Sequence, residues 1–586
     1  MQAGETSLFA LLGGNKQFTI PIYQRTYSWT YEQCEQLWSD IIRTGESNEM
    51  KGHFVGSIVY VQNGLFPPGG PVELFVIDGQ QRLTTLSLLL IALAKAVENV
   101  PDITDFSHNM LYGLYLTNQY SKNEQYYKLL LTQSDKGALT QLIDDPDHAK
   151  SVLPKSHLFD NYIYFENRLR QGNVDLNAVY RGLSKLIVVC IALGPDDNPQ
   201  LIFESLNSTG MDLSQADLIR NYVLMTLKTG EQTKLYNKYW YPMEQSFNVS
   251  GDSKQFDRFM RDYLTLKLGS IPNIDKVYAT FKTYQQSVSI SIQDLVADVY
   301  RYACYFINMA FGQEKDAAIK EALRNVNTLK VDVAYPFLLE VYDDYANKRL
   351  SHAGFLMILR LIESYVFRHA ICGVPTNSMN KTFAMLAREI DKGHYLESVQ
   401  AAFLKRGGSR RLPRDEEFQR ELIVKDVYNF RSCNYLLRKL EDFGHDKQLI
   451  NIDKFTIEHV LPQNPDLSPA WQSELGPNWK DIQVRYLHTI GNLTLTGYNP
   501  TLSDHYFQEK RDWDEVGFKR TPLWLNEDLA KLERWGESEI QQRAAKLAKR
   551  AIKVWSIPQM SLEQINAYSK KAPMPIQEDT EEADII

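Results

Sequence analysis

The stretch Thr456–Arg511 opens with TIEHVLPQNP (456–465), passes through a Trp-containing insert, and closes with LHTIGNLTLTGYNPTLSDHYFQEKR (487–511). Phe455-Thr456-Ile457 leads in with β-formers, and Pro462 stops any continuation of a strand. Asn492-Leu-Thr-Leu-Thr alternates polar and apolar side chains at a period of two, which predicts a half-buried strand. Gly497 and the Asn-Pro pair end it, and a short helix is predicted over Thr501–Lys510 with Thr501 or Ser503 as its cap. The unit therefore reads strand, loop, strand, helix.

Such a unit can place an imidazole on one arm and a carboxamide at the helix start, both facing one metal ion. Hydrolysing a phosphodiester at neutral pH needs an activated water, charge on the phosphoryl oxygens, and help for the departing 3′ oxygen. A hard divalent cation keeps most of its waters and accepts one or two protein oxygens. A Glu carboxylate and an Asn carbonyl suffice. Glu458, His459, Asn492, Asn499 and Lys510 are the polar side chains placed for this chemistry.

The Glu-His-x-x-Pro lead, the Asn-Leu strand and the later Asn and Lys resemble the HNH or His-Me-finger nucleases. The resemblance implies a ββα-metal unit with His459 as general base and Asn492 pinning the loop that carries it. Glu458 and Asn499 would ligate Mg²⁺ or Mn²⁺, and Lys510 would contact phosphate or support the site. His488 and Asp504 stay open as further donors.

Working outward, 586 residues are too many for one core, and two to four domains are expected. A formal net charge of −8 excludes a chain coated in basic surface, so a DNA partner must meet local basic patches. Cys34, Cys190, Cys304, Cys372 and Cys433 are scattered with no Cys-x-x-Cys pair, which excludes a zinc ribbon and favours a reducing compartment. The most apolar run, Leu83 to Val97, is too short to span a bilayer and carries Lys95. A cytoplasmic protein with no membrane partner is expected.

Near the start, FTIPIYQRTYSW (Phe18–Trp29) reads as a strand, Tyr31 to Arg43 as a helix and HFVGSIVYV (His53–Val61) as a strand. After a Gly/Pro loop (64–71), ELFVIDGQQRLTTL predicts a buried strand that passes through Asp78-Gly79 straight into a helix. Backbone N–H groups at that helix start attract anions, and Gln80, Gln81, Arg82, Thr84 and Thr85 add donors. No Gly-x-x-x-x-Gly-Lys-[Ser/Thr] occurs, which excludes a P-loop NTPase.

IPIYQRTYSW, DGQQRLTTL and FESLNSTGMDLSQADLIRNY (Phe203–Tyr222) together resemble the N-terminal domain of GmrSD-type type IV restriction enzymes, over about residues 5–225. That domain is related to the ParB/sulfiredoxin nucleotide-binding fold. The resemblance implies binding and hydrolysis of a nucleoside triphosphate (GTP, UTP, CTP or ATP) at Asp78, Gly79, Gln80, Gln81 and Arg82, to which Thr84 would add its hydroxyl. It associates Tyr23, Gln24 and Arg25 with nucleotide binding or sensing of modified DNA. It also implies antiviral defence.

Residues 226–445 carry apolar positions at helical spacing, shown best by Val296–Phe311 and Phe355–Gly373. Between helices, LKRGGSRRLPR (Leu404–Arg414) gathers Lys405, Arg406, Arg410, Arg411 and Arg414, a candidate loop for tracking DNA phosphates. Trp513, Trp524 and Trp535 should anchor helices around the nuclease motif, and the acidic tail should be disordered. The expected chain is α+β and mostly helical. It comprises a nucleotide-binding domain (1–225), a helical scaffold (226–445), a nuclease domain (446–560) and a tail (561–586). The function expected is an NTP-regulated, metal-dependent endonuclease that cuts modified foreign DNA, possible as a homo-oligomer. The alternative is a nucleotide-responsive DNA-binding regulator with a degenerate nuclease unit.

Overall fold

The structure is a computed structural model, and it describes all residues except 63–69, 99, 101–104, 172–173, 195, 208–212, 250–253, 445–454 and 570–586. Most of the Gly/Pro loop and the tail from residue 570 lie outside the described residues. The chain divides into two compact units, Met1–Gln245 with Phe281–Ala297, and Ser246–Thr280 with Asp298–Ile586. The expected boundary after residue 225 falls inside the first unit, and the helical middle groups largely with the nuclease residues. Among the described residues, no helix is long and apolar enough to cross a membrane. The chain is α+β, with helices predominating.

In the first unit, six strands form one mixed sheet: β1 (Gln2–Ser7), β2 (Lys16–Thr19), β3 (His53–Gln62), β4 (Val72–Asp78), β5 (Leu129–Leu130) and β6 (Leu186–Leu193). Their spatial order is β1-β6-β3-β4-β2-β5. Strand alternation sends Leu74 and Val76 of β4 into a large apolar cluster, and Ile77 to the opposite face against Phe203. Four helices frame the site region: α1 (Tyr31–Glu46), α2 (Gln80–Ala96), α3 (Leu176–Ser184) and α4 (Gln215–Met225). Helix α2 is buried on all sides, as its unbroken apolar sequence demands. Helices α1 and α3 cross at two glycines. A Cβ on Gly45 would lie 1.9 Å from the Ala178 carbonyl oxygen, and one on Gly182 would lie 2.2 Å from that of Ile41.

The strand predicted over Phe18–Trp29 stops at Thr19. Pro21 lacks the N–H that a ladder needs, and residues 20–30 run as a loop held by side chains. Gln24 Nε2 donates to the Ile77 carbonyl at 2.8 Å, and Ser28 N donates to Gln81 Oε1 at 2.9 Å.

The second unit is helical around a two-stranded antiparallel ribbon, β7 (Thr456–His459) with β8 (Leu493–Thr496). Its flanking helices include α5 (His352–Ile371), α6 (Tyr395–Lys405), α7 (Asn499–Leu502), α8 (Phe507–Asp512) and α9 (Glu537–Val554). Arg368, buried in α5, ties distant segments by donating to the Trp555 carbonyl at 2.7 Å, the Pro413 carbonyl at 3.0 Å and Asp415 Oδ1 at 2.7 Å. Leu562–Tyr568, in the stretch expected to be mostly disordered, is a helix.

Three local expectations change here. Strand β8 is buried on both faces, because the Thr494 hydroxyl finds the Asn526 carboxamide and need not face water. The helix predicted over Thr501–Lys510 is broken into α7 and α8 by Ser503 at φ 37°, and Tyr506 rather than Thr501 or Ser503 caps α8. Trp535 is fully buried as expected, but Trp513 stays 36% exposed and Trp471 takes the inner position.

Candidate active site

Strand β7 carries Glu458 and His459 side by side, so the pleat directs them toward different neighbours. The chain leaving β7 is fixed by Asn492. Its Oδ1 accepts from Leu461 N at 2.7 Å, and its Nδ2 donates to the carbonyls of Leu461 at 2.9 Å and Leu487 at 3.0 Å. Trp535 Nε1 donates to the same Oδ1 at 3.2 Å. Asn492 is fully buried, and these bonds satisfy its carboxamide.

Two features hold Asn492 in turn. Arg543, buried in α9, donates to the carbonyls of Gly491 at 2.9 Å and Leu493 at 2.7 Å. A Cβ on Gly491 would lie 2.4 Å from the Ile540 carbonyl oxygen, so only glycine lets this turn sit on α9. Burial pushes the Arg543 guanidinium down to about 10.

Lys510 and Glu458 form a closed pair. Lys510 Nζ donates to Glu458 Oε1 at 2.6 Å and to the His459 carbonyl at 2.9 Å. Burial pushes the Glu458 carboxyl up and the Lys510 ammonium down, each opposed by the other's charge. Asn499, at the start of α7, donates Nδ2 to the Ile457 carbonyl at 2.9 Å, which leaves its carbonyl oxygen for another partner. Asp504 accepts from Asn464 Nδ2 at 3.1 Å on the surface.

The His459 imidazole sits among other rings. Its Nε2 is 3.2 Å from His488 Nδ1, and its Nδ1 is 2.9 Å from Gln463 Nε2. Tyr428 meets the His459 ring edge-on at 4.4 Å and lies parallel to His488 at 5.1 Å. Burial first, then the His488 and Lys510 charges, push His459 down to about 3, against Asp426. The ring is neutral at neutral pH, as an acceptor of protons must be.

The structure thus joins Glu458 to Lys510, Asn492 to the loop after His459, and Asn499 to the backbone beside Glu458. It does not give His459, Glu458 and Asn499 a common partner among the described residues. Tyr428, Gln463 and Arg543 escaped sequence reading. Tyr428 lies far upstream of His459 with no periodic pattern to link them, and Arg543 reads as one more charge on an amphipathic helix.

In the first unit, Gly79 at φ 95° caps α2 in a conformation few side chains adopt. Gln24 and Gln81 are buried and bonded to backbone within the unit, and the Thr84 hydroxyl returns to the Gln80 carbonyl. Arg82 stays partly exposed, donating to the Ser57 carbonyl at 2.9 Å with Asp78 at 3.9 Å. Burial pushes Asp78 up, against Arg82. Tyr23 lines an open cleft of about 1170 Å³ with Thr19, Glu73 and Ile77. Its carbonyl accepts from Arg220 Nε at 2.7 Å, which ties the Tyr-Gln-Arg loop to α4. Arg25 is half-buried beside Asp217 and Arg220, and carries no hydrogen bond or ion pair among the described residues.

Of the five cations in the 404–414 segment, Arg406 pairs with Glu389 at 2.9 Å and Arg411 pairs with Glu417. Lys405, Arg410 and Arg414 are exposed and have no ion pair among the described residues.

Two family models match. Residues 8–224 match the GmrSD restriction endonuclease, N-terminal domain, and residues 412–550 match the GmrSD restriction endonucleases, C-terminal domain. Together they span more than half of the chain, and the second contains the whole β7–β8 unit with Tyr428 and Arg543. No curated protein matches the chain. The protein is a restriction endonuclease, an enzyme that cuts DNA. It belongs to the GmrSD family, of type IV restriction endonucleases.

Proposed function

We propose that this chain is an NTP-regulated, metal-dependent endonuclease that cuts modified foreign DNA from a C-terminal HNH-like site. The observation that carries the reading is the Asn492 clamp, which fixes the backbone just after a neutral, ring-packed His459. His459 takes a proton from water, the oxygen so freed attacks phosphorus, the P–O3′ bond breaks, and the departing O3′ takes a proton from solvent. Among the described residues, no group of three or more His, Cys, Asp or Glu could hold a metal ion. The donors present fit a hydrated Mg²⁺ or Mn²⁺ bound by few oxygens, since Asn499 keeps its carbonyl and Glu458 keeps its second carboxylate oxygen. Glu458 and Asn499 would hold the cation, which when bound supplies positive charge at the phosphoryl and departing oxygens.

In the first unit, a nucleotide fits best at the start of α2. Arg82 and Asp78 face solvent in part there, and backbone N–H groups open the helix. Gln24, Gln81 and Thr84 would act by holding the loop around it. Arg25, with no hydrogen bond or ion pair among the described residues, would offer a guanidinium to a phosphate or a base. The test is cleavage of glucosylated, hydroxymethylated, phosphorothioated and plain DNA, with and without Mg²⁺ and each NTP. His459→Ala should lose cleavage and keep NTP turnover; retained Mg²⁺-dependent nicking would remove the base assignment.

One observation favours the second reading, a DNA-binding regulator with an inactive nuclease unit. Lys510 already supplies a positive charge to Glu458. DNA binding without cleavage under every metal and NTP condition would select it.

A further inference from the structure

We infer that His488 is a positioning residue for His459, that His459 Nδ1 is the atom that takes the proton, and that the Gln463 carboxamide is a removable cap over it. The inference rests on the reading of His459 as the base.

The donor count decides the tautomer. The Gln463 amide nitrogen only donates, so the His459 Nδ1 that it meets at 2.9 Å carries a lone pair. A neutral imidazole has one N–H, which then sits on Nε2 and is donated to His488 Nδ1 at 3.2 Å. His488 is well placed to receive it. Its ring lies parallel to Tyr428 at 11°, and its carbonyl accepts from Val427 N at 2.9 Å and Tyr428 N at 3.3 Å. Tyr428 closes the box by its edge-on contact with His459. The inner side of the base is thus fixed by two packed rings.

The outer side differs. Gln463 is exposed, while the backbone around it is held because Gln483 Nε2 donates to the Pro462 carbonyl at 2.9 Å and the Asn464 carbonyl at 2.8 Å. The cap can leave by side-chain rotation without moving the loop. Water that replaces it meets the Nδ1 lone pair. Its O–H bond breaks, the proton joins Nδ1, the oxygen bonds to phosphorus as the P–O3′ bond breaks, and the departing O3′ takes a proton from solvent. The imidazolium keeps its Nε2–H on His488, and Nδ1 later returns its proton to solvent. Without His488 the Nε2–H has no partner, and the tautomer with a blocked Nδ1 gains ground.

The experiment is single-turnover cleavage by the full chain with Mg²⁺, on phage DNA carrying glucosylated hydroxymethylcytosine and on plain plasmid DNA, with DNA affinity measured in parallel. His488→Ala and His488→Phe should lower the cleavage rate constant on the order of 100-fold with DNA affinity retained. His488→Asn, which offers an acceptor oxygen near the place of Nδ1, should recover most of the rate. Gln463→Ala should raise it a few-fold. Equal losses in His488→Phe and His488→Asn would mean that shape alone matters, and wild-type rates in His488→Phe would mean that it does not position the base; either overturns the inference. A collapse of cleavage in Gln463→Ala would reverse the tautomer and overturn it as well. Should His488→Ala fail to fold, the Phe and Asn variants carry the comparison. If wild-type protein and His459→Ala cut equally, the reading of the base itself falls, an outcome distinct from these.

Discussion

Lys510 Nζ lies 2.6 Å from Glu458 Oε1, with both side chains closed off from solvent. Removing one partner from such a pair leaves a buried charge uncompensated, which costs far more than the pair contributes. Lys510→Met should therefore destabilise the protein by about 3–5 kcal/mol. The double variant Lys510→Met/Glu458→Gln should recover much of that loss. Denaturant unfolding of the two variants beside wild type measures it, and a double variant no better than the single would show that Lys510 acts through packing alone.

Acid should weaken the protein through its buried histidines. His369 is fully buried with Nε2 2.7 Å from the Arg411 carbonyl, and burial pushes it down to about 4. The unfolded state binds a proton near pH 6.5, before the folded state does. The stability this group contributes is therefore complete above that pH and is lost as pH falls toward 4. His459, down at about 3, adds a loss of the same sign. His369→Gln should lose less stability than wild type between pH 7 and 4.5, by up to about 3 kcal/mol. Parallel stability curves would contradict it.

The basic segment should split by function. Lys405→Ala, Arg410→Ala and Arg414→Ala together should weaken DNA binding and reduce the slope of log K against log salt by about 2–3. Arg406→Ala and Arg411→Ala break the ion pairs with Glu389 and Glu417, and should move stability more than that slope. Binding titrations over a salt series separate the two classes. An unchanged slope in the triple variant would take DNA off this loop.

At the N-terminal turn, Gln81→Ala should loosen the 26–28 loop, since Gln81 accepts from Ser28 N and donates to the Thr26 carbonyl at 3.3 Å. Arg82→Ala should lower NTP turnover with little change in melting temperature, because the side chain is partly exposed and its ion pair with Asp78 is long, at 3.9 Å. Turnover equal to wild type in Arg82→Ala would remove phosphate from this turn.

Much of the fold was legible where one local signal decided the structure. The passage from β4 through Gly79 into α2 follows from an apolar strand, a left-handed glycine and an apolar helix written in succession. The pairing of β7 with β8 followed from β-formers bounded by Pro462 and Gly497. The loop at 20–30 was not legible, because its aromatic residues favour a strand and it is partners distant in sequence, among them Ile77, Gln81, Asn161 and Arg220, that hold it otherwise. At the candidate site, the motif marked Glu458, His459 and Asn492. It could not mark Tyr428, Gln463 or Arg543, whose places depend on how far-apart segments meet. The break at Ser503 was hidden too, since nothing local in TLSD demands a positive φ.

Arg543 and the Trp555 carbonyl give the second unit its last consequence. The carbonyls on either side of Asn492 are gripped from α9, and the end of α9 is gripped by Arg368 from α5. The short motif is therefore no transplantable cassette: excised at residue 511, or cut from a chain that stops before 555, it would lose its keystone. A nonsense change anywhere in that interval should silence the scissors although every motif residue is still encoded.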